Sequence, residues 1–387
     1  MSISAIIIGT AALILVLSVF NGFEGLVKSL YASFYTDLKV MPASGKTITI
    51  TEAQLQKLKG ISGVKNFSLI AEEKAILQNG ESKCLVSLKG VDENYRYVTG
   101  IENSIITKGR GTYELGNEDT ASLVIGTGIE SAVGIQTDRS LFPLTIYLPR
   151  KTDAGQLDPM QSISSSSVLA RGTFSIQQDF DNKYAITNIQ FVKKQLGFAE
   201  DEYSGLEISL NNPSAADAVK KNVEAVFSDQ QYKVQTRFEQ NRVLYSVMSN
   251  EKWIIFAVLS LILVVAAFNM IGALTMLVLE KEKDISVLHA LGGNNSFIRG
   301  IFLNEGVLLA LIGGAIGMAL AVLIAYLQVN FKLIPLSGDS FLIDYFPVKL
   351  QFSDFILVGM TVFVIAFIAS WLPARKAVTN EFSLRSE

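Results

Sequence analysis

Trp253 to Leu279 reads WIIFAVLSLILVVAAFNMIGALTMLVL, and Glu280 to Arg299 continues it as EKEKDISVLHALGGNNSFIR. At 1.5 Å per residue the apolar run makes a helix of roughly 40 Å, against a hydrocarbon core of about 30 Å. It is expected to cross a membrane and protrude. It protrudes into a short, charge-rich amphipathic segment closed by Gly292-Gly293, after which the chain turns back into another apolar run. A membrane helix joined to a short surface helix is a lever, and the rest of the chain is read outward from it.

Upstream, Ile3 to Phe20 (ISAIIIGTAALILVLSVF) is a first span. No basic segment precedes it and no small-x-small cleavage site comes before Asn21-Gly22-Phe23-Glu24, so a transmembrane helix is favoured over a signal peptide. Downstream, Ile301 to Leu327 is a third span, in which Gly313 and Gly317 form a GxxxG. That motif allows a close helix approach, used either within the bundle or for dimerisation. Gln328 to Gln351 is a loop, and Phe352 to Leu372 a fourth span ending before Pro373-Ala374-Arg375-Lys376.

Between the first two spans lies a long region of mixed polarity. Strands are expected at 47–50, 84–91, 122–126 and 142–148, and helices at 52–58, 129–133, 189–196 and 215–227. The fold class is therefore a membrane protein with four transmembrane helices, one plus three, and a large α+β extracytoplasmic domain inserted between the first and second. The expected divisions are span one 1–22, domain 23–249, span two 250–280, surface helix 281–299, span three 300–328, loop 329–351, span four 352–372 and tail 373–387. Lys281, Lys283 and Arg299 follow span two, and Arg375, Lys376 and Arg385 follow span four. Lys332 and Lys349 lie between spans three and four. The bias places the surface helix and the C-terminus in the cytoplasm and the large domain outside.

Composition excludes several functions. Of 387 residues, 49% are hydrophobic and 18% charged, and the net charge of −3 gives no reason to expect a nucleic-acid partner. With one histidine (His289) and one cysteine (Cys84), neither a zinc cluster nor a serine–histidine triad is expected. Ser44-Gly45-Lys46-Thr47 resembles the tail of a phosphate-binding loop, but Val40 stands where that motif needs glycine. Asn269 is costly in lipid and is expected to face protein, a cavity or a partner helix. Glu305 is the acidic residue set well within an apolar run, and the spans hold no aspartate pair or serine–lysine dyad, so no catalytic residue is expected. Arg150 to Ser167 (RKTDAGQLDPMQSISSSS) breaks the domain; it is either a solvated hairpin tip or a docking loop.

Five stretches, VLSVFNGFE (16–24), AAFNMIGALTMLVLEKEKDISVLHALGG (266–293), FLNEG (302–306), FLIDYFPVKLQFSD (341–354) and SWLPARKAV (370–378), resemble the LolC/LolE permeases of the bacterial lipoprotein-releasing system. Those belong to the wider MacB/FtsX type of ABC transporter. The resemblance covers essentially the whole chain and is looser in the external domain. It implies a multi-pass protein of the bacterial inner membrane, with the large domain in the periplasm. Its partners would be a LolD-type cytosolic ATPase and a second permease subunit, alike or different. A LolA-type periplasmic carrier, lipoprotein substrates and membrane lipid would complete the set. No cofactor of its own is implied, since ATP would bind the ATPase.

The resemblance also suggests residues. Asp284 to Arg299 would be the coupling helix, with Asp284, Ile285, Leu288, His289 and Arg299 meeting the ATPase. Val19, Phe20 and Phe23 on span one, with Phe256, Leu259 and Leu263 on span two, would line a cavity for the acyl chains. Tyr147-Leu148-Pro149 stands where a LolC strand ends in Ile-Pro before its carrier-binding hairpin. Arg150, Lys151, Asp153, Leu157, Asp158, Pro159 and Met160 would then form the docking loop, although that loop does not match closely. The family carries a basic cytoplasmic segment ahead of span one that this sequence lacks. LolC, LolE and a homodimeric permease all stay compatible, and the rival classes are an FtsX-type signal transmitter acting on a cell-wall hydrolase and a MacB-type efflux permease.

Overall fold

The computed structural model describes residues 2–106, 111–137, 142–151, 163–228, 231–336 and 345–379. The chain divides into two compact units, one of Met1–Val27, Leu244–Gly338 and Ile343–Glu387, the other built from Lys28–Val243. Helix α1 (Ser2–Phe34) is continuous across the first division, so the expected boundary at residue 22 falls inside it.

In the second unit the chain lays down β1 (Leu38–Pro42), β2 (Ile48–Thr49), α2 (Glu52–Lys59), β3 (Val64–Asn79), β4 (Ser82–Val91) and α3 (Tyr95–Val98). Then come β5 (Ser122–Gly126), α4 (Thr127–Val133), β6 (Leu144–Pro149), β7 (Ile163–Phe174), α5 (Gln178–Asp181), β8 (Tyr184–Asn188) and α6 (Ile189–Leu196). The unit closes with β9 (Glu202–Tyr203), β10 (Gly205–Leu210), α7 (Ala216–Val226), β11 (Tyr232–Thr236) and α8 (Arg237–Gln240). Local chemistry sets several of these boundaries. Thr51 caps α2 in a reciprocal box, its backbone N–H donating to Gln54 Oε1 at 2.9 Å. Asn188 caps α6 through the N–H groups of Gln190 and Phe191.

Among the described residues, nine strands form one sheet in the order β11-β1-β10-β3-β4-β8-β5-β7-β6, and a further β3–β6 pairing closes β3, β4, β8, β5, β7 and β6 into a ring. The 16-residue β3 makes this possible: Val64–Ile70 pairs with β10, Ile76–Gln78 with β6, and Ile70–Asn79 with β4. Two cores follow. Leu77, Leu88, Leu123, Ile146 and Leu148 fill the ring, sealed by Ile129 of α4 and Val192 of α6. Leu38, Val40 and Ile208 of the flanking strands pack on Leu58 of α2 and Val223 of α7. Each such side chain contributes about 1.5–3 kcal/mol on burial.

The serine-rich stretch corrects one expectation. Ile163 to Ser167 are not loop but the start of β7, paired antiparallel with β6 from Pro149↔Ile163 to Leu144↔Val168. Serine has little strand preference of its own; here the ladder to the apolar, alternating β6 imposes the extended form.

The first unit holds α9 (Arg242–Glu280), α10 (Glu282–Ala290), α11 (Asn295–Phe331) and α12 (Phe352–Thr379). With α1, these include four helices long and apolar enough to cross a membrane, and α1 is the most buried of the four. Leu13, Ile14 and Leu17 of α1 meet Leu263, Ala266 and Met270 of α9, with Ala310 and Ala321 of α11 and Val358, Val362 and Ala366 of α12. The GxxxG is used inside this bundle: an added Cβ on Gly317 would lie 2.6 Å from the Ile7 carbonyl and 2.9 Å from Thr10 Cβ, and one on Gly313 would lie 3.2 Å from Ile6.

Span four also differs from its reading. The helix does not stop before Pro373 but runs through it to Thr379. Proline inside a helix costs about 3 kcal/mol. Ala374 and Ala377, both fully buried in a cluster with Val278, Ile285, Ile298 and Phe302, hold the last turns in place against that cost.

Candidate functional site

The turn between the second and third spans is built by three local devices. Helix α9 ends at Glu280, and after the single residue Lys281 helix α10 starts at Glu282, with Ile285 N–H donating to Lys281 O at 2.9 Å. Gly292 ends α10 at φ +92°, a left-handed conformation that favours glycine, while Gly293 N–H caps Leu288 O at 2.9 Å. Asn294 then caps α11 by accepting from Phe297 N–H at 2.8 Å. The expected coupling helix 284–299 is thus a nine-residue α10, and Arg299 belongs to α11.

The expected contact residues separate by face. Asp284, His289 and Arg299 are exposed and Leu288 is half-buried. Ile285 is buried among Val278, Ile298, Phe302, Ala374 and Ala377, so it is a bolt joining α10 to α9, α11 and α12 rather than a surface contact. The apolar residues presented outward are Val287, Leu291 and Phe297, at 58%, 80% and 57% exposure. Sequence reasoning missed them because the apolar spacing of DISVLHALGGNNSFIR does not say which apolar residues face the bundle.

The expected cavity residues also separate. Leu263 is buried, with Gly9 of α1 so close that an added Cβ would lie 2.9 Å from Leu263 Cδ2. It is therefore part of the α1–α9 packing and not a lining residue. Phe256 and Leu259 are half-buried beside that core, Val19 and Phe20 are half-buried, and Phe23 is exposed. The open flanks of the two helices carry Ile8 and Val16 on α1, with Ile254, Val258, Leu261 and Val265 on α9. Asn269 is exposed on α9 next to Phe268.

In the external domain the end of α1 is gripped. Phe34 stacks on Phe180 at 4.7 Å and meets Tyr184 at 4.3 Å, and Lys89 Nζ lies 5.0 Å above its ring. Lys89 is itself buried and paired with Glu207 at 2.7 Å. Burial alone would raise the nearby Glu72 carboxyl, but the Lys39 and Lys89 charges and a hydrogen bond from Ser87 hold it below its usual value. Arg237, at the start of α8, donates to Asp37 at 2.8 Å and to Tyr35 O at 2.9 Å. The two chain segments that connect the domain to the spans are therefore tied to each other at its base.

Of the expected docking loop, Asp153, Leu157, Asp158, Pro159 and Met160 lie outside the described residues. Arg150 and Lys151 are exposed, but Lys151 is held down: its N–H donates to Leu196 O at 2.9 Å and its Nζ to Glu202 at 2.7 Å. Desolvation raises the Glu202 carboxyl, and hydrogen bonds from Lys151, Thr47 and the Ala199 N–H outweigh it and lower it overall. Lys46 of the phosphate-loop lookalike is paired with Glu73 at 2.6 Å, which gives that tetrad a structural use. Among the described residues no group of three or more His, Cys, Asp or Glu is placed to hold a metal.

Four membrane-crossing helices, an external α+β domain inserted after the first and a short helix presented between the second and third define a transporter-type permease. A family model described as the MacB-like periplasmic core domain matches residues 1–226, and one described as the FtsX-like permease C-terminal matches residues 256–382. The chain belongs to this family of ABC-transporter permeases. It is similar to the lipoprotein-releasing system transmembrane protein LolE of Haemophilus influenzae, 24% identical over 96% of this chain and 90% of that protein. The LolC protein of Neisseria meningitidis is 24% identical over 97% and 90%. An uncharacterized ABC transporter permease of Methanocaldococcus jannaschii is 24% identical over the same shares.

Proposed function

We propose that this chain is the permease subunit of an ATP-driven machine that lifts lipoproteins out of the bacterial inner membrane and passes them to a periplasmic carrier. The observation that carries this reading is the end-to-end likeness to LolE and LolC, which spans the domain and all four helices alike. A LolD-type ATPase on the cytoplasmic side binds and hydrolyses ATP; the permease itself needs no cofactor. A second permease subunit, identical or paralogous, completes the membrane part, and a LolA-type carrier docks on the external domain.

The geometry supports a route for force. The ATPase pair closes on nucleotide and pushes the exposed apolar face of α10. Ile285 is bolted to α9, α11 and α12, so the push moves three spans as one body. The open flanks of α1 and α9 take the acyl chains as they leave the bilayer. Exposing lipid to water costs about 0.8 kcal/mol per methylene, roughly 12 kcal/mol for a chain of about 15 methylenes, so the cargo needs an apolar holding surface at every step.

Reconstitution tests this. Proteoliposomes containing the complete transporter and a lipoprotein are expected to yield a soluble carrier–lipoprotein complex when ATP and carrier are both added. Steady ATP turnover with no lipoprotein on the carrier, together with activation of a bound cell-wall hydrolase, would replace transport with signal transmission.

A further inference from the structure

We propose that Asn21, Lys252 and Asp354 form an interhelical clamp that positions α1 against α9 and α12 at their outer ends, and that its opening accompanies cargo release. This rests on the transport reading. The three residues come from three different helices and form a closed triangle. Asn21 Nδ2 donates to one oxygen of Asp354, Lys252 Nζ lies 3.1 Å from the other, and Lys252 Nζ donates to Asn21 Oδ1 at 2.8 Å. Asn21 and Asp354 are 1% and 4% exposed. Each member satisfies the other two, so a small displacement of one helix leaves a buried charge or amide without its partner. The arrangement is consequently closed or open, with little between.

The backbone beside it is equally close. Lys349 N–H donates to Ser18 O at 2.9 Å, and an added Cβ on Gly22 would lie 2.3 Å from the Pro347 carbonyl oxygen. The segment leading into α12 therefore rests directly on α1 beside the triangle. Depth makes the clamp switchable. From Lys252 to Glu280 helix α9 rises about 42 Å, more than the roughly 30 Å hydrocarbon core, which puts Lys252 at the outer water boundary. Lys252 is partly exposed, so its ammonium can be hydrated as soon as the helices part. The same charge pair at mid-membrane would have no water to open into. Helices α1 and α9 carry the candidate cargo flanks, and the clamp sits at the end through which cargo passes outward.

The test uses the complete transporter with Lys252→Met, with the isosteric Asp354→Asn, and with the charge exchange Lys252→Asp plus Asp354→Lys. Complex level in the membrane, ATP hydrolysis and lipoprotein transferred to the carrier are read together. The single variants are expected to lower lipoprotein transferred per ATP at least about 10-fold, with ATP hydrolysis within about 2-fold of the unaltered complex. The charge exchange is expected to restore most of the transfer. Single variants that transfer at the unaltered rate overturn the clamp, as does a charge-exchanged complex present at normal level yet as defective as the singles. If Lys252→Met fails to accumulate, Asp354→Asn carries the test, because it keeps the shape and removes the charge. The unaltered complex separates the two readings: if it transfers no lipoprotein, transport fails; if it transfers and the variants match it, the clamp alone fails.

Discussion

Replacing Leu291 or Phe297 by aspartate is expected to weaken binding of the cytosolic ATPase about 100-fold or more while the chain stays at its normal level in the membrane. Both side chains are more than half exposed, Leu291 just after α10 and Phe297 in the first turn of α11. Neither belongs to the buried cluster beneath that turn. Truncating a central apolar anchor in an interface costs about 2–4 kcal/mol, or roughly 30- to 1,000-fold in affinity, and a carboxylate there must also be desolvated. Co-purification of the ATPase, titrated against permease, measures the loss. Ile285→Ala should behave differently: it opens a cavity in the cluster, costs about 2–5 kcal/mol in stability and lowers the amount of chain before it lowers affinity. If Leu291→Asp and Phe297→Asp bind the ATPase normally, the ATPase does not dock on this face.

Gly317→Val is expected to remove most of the chain from the membrane. The added Cβ would press on the Ile7 carbonyl oxygen at 2.6 Å, a backbone atom of α1, and on Thr10 Cβ at 2.9 Å. Neither atom can rotate away, so α11 and α1 must separate. Overpacking of this kind costs about 1–3 kcal/mol and sometimes more, and losses of that size reduce abundance several-fold. Gly272→Val on α9 is the matched control, since an added Cβ there meets nothing within 4 Å. Immunoblotting of membranes compares the two. Equal levels for both variants would contradict the α1–α11 packing.

The layout of four spans and one inserted domain was legible because it rests on local properties: run length, apolar content and helix-capping residues that act within a few positions. The helix starts near Glu52 and Ile189 and the stop at Gly292 could be read for the same reason. What depended on which face of a helix meets which neighbour could not be read. Ile285 and Leu291 are both aliphatic and six positions apart on α10 and its cap, yet one is a bolt and the other a surface. Leu263 packs against Gly9, a pairing between α1 and α9 that no local pattern indicates. Pro373 carries a local stop signal that tertiary burial of Ala374 and Ala377 overrides. Lys252 and Asp354 are 102 positions apart, and Asn21 and Lys252 are 231 apart, so no spacing rule could pair them. Their single signal was polar residues at the edges of apolar runs.

Lipoprotein held against α1 and α9 is tested most directly by site-specific photocrosslinking in cells. A photoreactive residue at Phe20, Phe23 or Phe256 should capture lipoprotein when ATP hydrolysis is blocked, and the adduct should disappear when the ATPase turns over. The same probe at Leu263, buried on Gly9, should label only neighbouring helices. Abundant lipoprotein in the membrane with no adduct at any of the three phenylalanine positions, whatever the state of the ATPase, would contradict transport through this surface.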